Sequence, residues 1–207
     1  MINRFKKMFY IIIKRFFDIL FALIGCILLL IITPIIKICF IVTGDYDRIF
    51  YTQDRYGKNK KLFKLYKFRT MIVNADEELE SILKDRKLKD EWKKNQKLKD
   101  DPRITKVGKF LRNSCLDEFP QFINVLKGEM SIIGPRPYLP REKSLLKNNL
   151  DFITKATPGL TGYWQVNRDI FVDFASRIKC EKYYVSHANL ILDIKIFLKT
   201  FLLFIKK

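Results

Sequence analysis

The chain has 207 residues, a length that suits one domain with an appendage, and its 48% apolar and 14% aromatic content can bury a sizeable core, which excludes wholesale disorder. Forty Lys+Arg against 22 Asp+Glu leave a net charge of +18, so the surface seeks polyanions: nucleic acid, anionic lipid or phosphorylated substrates. Cys26, Cys39, Cys115 and Cys180 stand far apart without a CxxC, beside a single histidine, His187. This argues against a zinc site or a disulfide framework and points to a reducing compartment.

Ile19 to Ile36 is an uncharged apolar run flanked by Asp18 and Lys37. A bilayer core needs about 20 helical residues, so the run is a membrane segment of barely sufficient length. No A-x-A-like cleavage site follows it, against a removable signal peptide. Arg4, Lys6, Lys7, Lys14 and Arg15 precede the run and a basic domain follows, so the positive-inside rule wants both flanks in the cytoplasm. A helix broken at Thr33-Pro34 meets that demand, with the Thr33 hydroxyl satisfying a freed carbonyl. An ordinary single-pass helix with a Pro near its end is the equal alternative. Lys14 and Asp18, four apart, are placed to pair on one helix face, and Arg15 to snorkel toward lipid phosphates.

Residues 43–72 read as short strands around a Gly57-Lys58-Asn59 turn. Asn74 to Glu77 reads as a capping box opening a charged helix that runs through Trp92 towards Lys99 and ends at Asp101-Pro102. Arg103 to Arg112 is a basic amphipathic stretch with Ile104, Val107, Phe110 and Leu111 on its apolar side. A helix then starts at or near Asp117, tolerates Pro120 in its first turn and stops at Gly128. Ser131 to Arg141 reads as a proline-rigidified loop and Pro158 to Gly162 as another turn-rich loop. The apolar tail from Ala188 to Lys207, interrupted by Asp193, Lys195 and Lys199, reads as an interfacial helix.

Asp117-Glu118 is the chemical centre. Adjacent carboxylates at a helix start project differently and can divide the roles of nucleophile and metal ligand or base, while an Asp at an N-cap with Glu behind it is also ordinary helix chemistry. Arg103, Lys106, Lys109 and Arg112 crowd the same region. Arg136, set between Pro135 and Pro137, presents a guanidinium fork suited to phosphate or carboxylate, and Lys67 with Arg69 offers a further cationic pair. A basic pocket around paired acids on a membrane segment is what phosphoryl chemistry at a membrane surface needs. No Walker A or GxGxxG loop is present, and His187 sits in no triad-like motif.

These residues form an ordered series: Lys14-Arg15 with Asp18, Thr33-Pro34, Tyr66 to Met71, Asp101 to Thr105, Leu116 to Gln121, Asn124 to Ser131, Gly134 to Pro137 and Pro158 to Val166. Over residues 11–200 the series resembles the bacterial sugar transferases, the monotopic polyprenol-phosphate phosphoglycosyl transferases. The resemblance implies a re-entrant membrane helix with both ends cytoplasmic, Thr33 standing where the family has Ser. It implies Asp117 as nucleophile, Asp117 and Glu118 working with magnesium, and Arg136 at the nucleotide-sugar. Arg168 follows Trp164-Gln165-Val166 without the family's Gly, and Glu181 stands where the family usually has Asp.

The expectation is therefore a mostly helical α+β protein: a membrane-inserted re-entrant helix over 1–43, and a cytoplasmic catalytic domain over 44–207 with interfacial amphipathic helices. It would lie on the cytoplasmic face of a bacterial inner membrane and transfer a hexose-1-phosphate, of galactose or glucose, from a UDP-sugar to undecaprenyl phosphate. UMP would be released through an aspartyl-phosphosugar, starting a surface polysaccharide. Asp117 and Glu118 are the expected catalytic and metal residues, and Lys67, Arg69, Arg103, Arg112, Arg136 and Arg168 the substrate-binding ones. Lys14, Arg15, Asp18, Thr33 and Pro34 face lipid phosphate or membrane, Mg2+ is the cofactor, and no nucleic-acid partner is expected. A basic membrane adaptor and a membrane-anchored nucleic-acid binder are the alternatives. The first leaves the acid pair idle, and the second predicts strongly salt-dependent DNA binding.

Overall fold

The apolar N-terminal run is helical well beyond its uncharged stretch. In the computed structural model, which describes residues 2–95 and 98–205, helix α1 covers Ile2–Val42 with Pro34 inside it. At 1.5 Å per residue its 41 residues rise about 60 Å, twice a bilayer's hydrocarbon thickness. Lys7–Val42 is apolar and long enough to cross a membrane. Asp18, Ala22, Leu29, Ile36 and Phe40 are buried at helical spacing, while Ile27, Leu30, Ile31 and Ile38 are exposed. One stripe of α1 therefore serves the protein and the remaining apolar surface fits lipid. Pro34 frees the carbonyl four residues back, that of Leu30. The Thr33 hydroxyl instead donates to the Leu29 carbonyl at 2.6 Å, so it reinforces the preceding bond rather than repairing the freed one.

After α1 come β1 (Phe50–Tyr56) and β2 (Leu62–Phe68), paired in a two-stranded sheet across the turn at Gly57, as the sequence pattern predicts. The charged segment that follows is two helices rather than one, α2 (Ala75–Ile82) and α3 (Arg86–Asn95). Asn74 makes no side-chain cap, so the expected capping box is not formed. A break at residues 83–85 lets Asp85 accept from the amides of Lys87 and Leu88, capping the start of α3. Gln96 and Lys97, over which the single expected helix would run, lie outside the described residues, as do Met1, Lys206 and Lys207.

Two compact units partition the chain, one of residues 1–28, 52–66 and 120–207, the other of 29–51 and 67–119. In the second unit, α4 (Lys106–Ser114) is capped by Thr105, whose hydroxyl accepts from the Gly108 amide, and buries Val107, Gly108 and Leu111. Gly108 lies against the Thr70 backbone so closely that any Cβ would collide with it. Phe110, expected on the apolar side, is exposed because the buried arc runs through positions 107, 108 and 111.

The first unit holds α5 (Gln121–Leu126), β3 (Ser131–Ile133), α6 (Lys143–Leu146), α7 (Asn149–Ile153), β4 (Gly159–Thr161), α8 (Phe174–His187) and α9 (Leu190–Ile205). Segments read from sequence as two loops contribute β3 and β4, which pair in parallel with Ser131 opposite Gly159 and Ile133 opposite Thr161. Three-residue strands are too short to show a period-two pattern. Ala22, Phe63, Leu65, Val125 and Met130 form one core cluster. Gly25 lets the Phe122 ring lie directly on α1, where a side chain would clash.

The polar residues of α1 have partners other than those expected. Lys14 does not pair with Asp18. It meets Asp193 of α9 at 2.8 Å and donates to the Ile133 carbonyl at 2.8 Å. Tyr10 and Tyr184 each donate to the same Asp193 carboxylate at 2.8 Å. Asp18 accepts from the Ser131 hydroxyl at 2.9 Å and the Ile132 amide at 2.8 Å. Arg15, expected to reach lipid phosphates, donates to the Val125 and Leu126 carbonyls at the end of α5 at 2.7 and 2.8 Å. Helix-local spacing favours i to i+4 pairing, but buried carboxylates and orphan carbonyls are more demanding, because an unpaired polar group away from water costs several kcal/mol.

Lys14 and Asp193 are both largely buried. Asp193→Ala should therefore lower unfolding stability in detergent by about 3–5 kcal/mol, and a Lys14→Met/Asp193→Leu double variant should recover most of that loss. Denaturant titration of both variants checks this, with Asp169→Ala, at an exposed position, as a control that stays near wild type.

Candidate active site

Asp117 and Glu118 lie not at an α-helix start but on a 3-10 turn, Leu116–Glu118, between α4 and α5. Cys115 takes a left-handed conformation (φ 59°) that ends α4 and redirects the chain into the turn. Pro120, with φ −60°, then caps α5, which is only six residues long and closes before Gly128 at φ +78°. The left-handed Cys115 on one side and the start of α5 at Pro120 on the other thus hold the adjacent acids on a tight turn.

β2 brings Lys67 to both acids. Its Nζ donates to Glu118 Oε1 at 2.9 Å and stands 3.5 Å from Asp117 Oδ2. Asp117 is the more buried acid, its side chain 14% exposed against 46% for Glu118. Burial raises the Asp117 pKa above the usual carboxylate range, Lys67 opposes this, Glu118 adds to it and Arg112 opposes it more weakly. Asp117 is thus a partly desolvated carboxylate kept in reach of ionisation by neighbouring cations. Arg112, in the last turn of α4, donates through Nε to the Thr70 hydroxyl at 2.9 Å.

The other expected substrate arginines fall into different settings. Arg69 is buried and internally committed: it donates to the Arg48 carbonyl at 2.6 Å, the Met71 carbonyl at 2.9 Å and Asp45 at 2.7 Å, with its guanidinium over the Phe40 ring. Arg103 is likewise held, by two bonds to Asp101 at 2.8 and 2.6 Å and one to the Ala75 carbonyl at 3.0 Å. In these two arginines the structure gives the guanidinium fork to the fold. Arg136 and Arg168 belong to the other unit and each is described there. The Arg136 amide donates to Glu181 Oε1 at 3.2 Å. Arg168 is largely exposed, 3.9 Å from the Asp169 carboxylate.

A magnesium ion needs few protein ligands, usually one or two carboxylates, and takes the rest from water and substrate phosphates. Asp117 and Glu118 fit that demand, since both already converge on one cation, the Lys67 ammonium. Among the described residues no group of three or more His, Cys, Asp or Glu side chains gathers, so a fully protein-built cage is not the arrangement here.

Sequence reasoning missed the structural weight of two acids. Asp193 was visible only as a charge interrupting an apolar tail, and a charge in such a place needs a partner. Glu181 was visible as a position where Asp is usual. It is fully buried on α8, and among the described residues its Oε2 has no hydrogen-bond partner.

A profile described as "Bacterial sugar transferase" matches residues 9–207. The chain is 42% identical over 190 residues to "Undecaprenyl-phosphate galactose phosphotransferase" of Salmonella typhimurium, covering 91% of this chain and 39% of that protein. It is 40% identical over 192 residues to "Exopolysaccharide production protein ExoY" of Sinorhizobium fredii, covering 90% and 83%. It is 35% identical over 206 residues to "UDP-glucose:undecaprenyl-phosphate glucose-1-phosphate transferase" of Klebsiella pneumoniae, covering 94% and 40%. The chain thus spans about two fifths of the length of the first and third relatives and most of the second.

Burial moves the Glu181 carboxyl from 4.5 up to about 7, opposed by the Arg136 amide and by the charges of Arg177 and Arg136. The folded chain therefore holds a proton there that the unfolded chain gives up near 4.5. The stabilisation is complete below that pH and is lost as pH rises through about 7, a swing of about 3 kcal/mol. Thermal unfolding from pH 5 to pH 8 should show this fall in the wild type, and Glu181→Gln should flatten it.

Proposed function

Because the chain belongs to the bacterial sugar transferase family, we propose that it transfers a hexose-1-phosphate from a UDP-sugar to undecaprenyl phosphate and releases UMP. The observation that carries the reading is the convergence of Asp117 and Glu118 on one cation, with the more buried acid poised for attack. Similarity to relatives named for galactose and glucose transfer to undecaprenyl phosphate and for exopolysaccharide production supports the substrate class.

The chemistry balances without a proton. An Asp117 oxygen attacks the phosphorus that bears the sugar, and the phosphoanhydride bond breaks with its electron pair leaving on UMP. The resulting aspartyl-phosphosugar is then attacked by an oxygen of the lipid phosphate, which displaces the Asp117 carboxylate. Splitting the transfer means that two anions never approach one phosphorus together. Lys67 and Arg112 oppose the burial that raises the Asp117 pKa, and they would face the charge that develops on the phosphoryl oxygens. Asp117 and Glu118 would hold a magnesium ion, which when bound neutralises phosphate charge. Arg136 would contact the nucleotide-sugar and Arg168 the substrate. The apolar exposed surface of α1 and the mostly apolar α9 seat the chain in the membrane, with α1 re-entrant and both its flanks cytoplasmic.

With UDP-sugar and magnesium but no lipid phosphate, wild-type enzyme should release UMP in a burst of at most about one equivalent and acquire a phosphosugar mass. Asp117→Asn should show neither while still residing in membranes. No burst and no adduct in an enzyme that turns over with lipid present would make the transfer direct.

A further inference from the structure

In the unit of residues 1–28, 52–66 and 120–207, an open cleft of about 840 Å3 has Tyr56, Lys60, Arg141, Lys143, Lys147 and Asp151 among its lining residues. Such a volume lies in the range of small-molecule sites. Four cations and one carboxylate give it a net charge of +3. Lys60 pairs with Asp151 at 2.9 Å. Among the described residues the Arg141, Lys143 and Lys147 side chains make no hydrogen bond or ion pair, while the Lys143 charge joins Lys60 in holding the Asp151 pKa down.

The cations stand on a fixed floor. Tyr138, Leu146, Leu150 and Ile153 form a buried cluster beneath α6 and α7. The Tyr56 amide donates to the Tyr138 carbonyl at 2.9 Å and the Asn59 amide to the Thr154 carbonyl at 2.7 Å. Glu142 accepts from the Leu139 amide at 2.7 Å, fixing the turn that carries Arg141. Lys147, between α6 and α7, holds φ +48° and ψ −133°, a backbone conformation that glycine takes readily and lysine does not.

We propose that this cleft binds an anion carrying two or more phosphoryl groups. Its +3 charge matches a diphosphate, and its volume leaves room for a substituent beyond the phosphates, to which Ser144, Asn148 and Asp151 offer hydrogen bonds and Tyr56 a ring. Its lining residues all belong to this unit, and Asp117 and Glu118 to the other.

Isothermal titration of the full chain in phosphatidylcholine nanodiscs with inorganic pyrophosphate tests it. An Arg141→Ala/Lys147→Gly variant should bind pyrophosphate at least tenfold more weakly while its thermal midpoint stays equal or rises, since glycine relieves the backbone at 147. Repeating the titration in discs containing phosphatidylglycerol separates the sources. Wild-type binding weakened there, with the variant indifferent to lipid, would place a single-phosphate headgroup in the cleft and overturn the proposal, and undiminished binding supports a soluble diphosphate. Binding unchanged in Arg141→Ala/Lys147→Gly but lost in Lys67→Met would place the anion at the acid pair and overturn the proposal. Absence of binding in both disc types would do the same.

Discussion

Lys67 has to serve two carboxylates that neighbouring positions on a 3-10 turn force together. Without a cation between them, Asp117 and Glu118 would repel, and the more buried Asp117 would keep its proton. The turn itself is set by backbone chemistry on either side: a left-handed Cys115 ending α4 and a proline opening α5. β2 then has only to deliver one lysine. The local fold thus concentrates charge in a place that water only partly reaches, which raises both the basicity of Asp117 and its demand for cations. A magnesium ion and an anionic substrate would enter a site already organised around that demand.

The same logic recurs away from the turn. Asp18 and Asp193 are buried acids, and each ties helix α1 or α9 to a β3 segment or to another helix through two or more hydrogen bonds. Arg15 closes the end of α5 by taking its last carbonyls. In a segment read as membrane-inserted, polar groups are costly unless fully partnered. Here they serve as fixed points for the helix rather than as contacts for lipid. Glu181 differs: one of its oxygens holds the Arg136 amide and the other has no partner among the described residues, and burial raises its pKa to about 7.

Much of the architecture was legible in the residues. The apolar run, the β1–β2 pair around Gly57, an amphipathic stretch over Arg103 to Arg112 and the stop at Gly128 all follow from periodicity and turn chemistry. Asp117 and Glu118 were recognisable as a pair because adjacent acids beside clustered cations are chemically unusual. What sequence could not supply was partner choice over long separations. Lys14 has an acid four residues away and binds one 179 residues away instead, since burial and the neighbouring Tyr184 decide between them. Lys67 looked like a phosphate contact and is found holding the acids, while Arg69 and Arg103 looked the same and are consumed by Asp45 and Asp101. A guanidinium in a motif does not reveal whether its fork faces inward. The parallel β3–β4 pair was hidden for a simpler reason, since three residues carry no period.

Lys67 holds down an Asp117 pKa that burial raises. The acid limb of the kcat/KM profile with UDP-sugar, compared between wild type and Lys67→Met, tests it most directly. The wild-type limb should lie above the ordinary carboxylate range and the Lys67→Met limb further toward neutral pH, because burial then acts on Asp117 with less opposition. An acid limb that Lys67→Met leaves in place, at whatever residual rate, would contradict the claim and separate Lys67 from the ionisation of the acid pair.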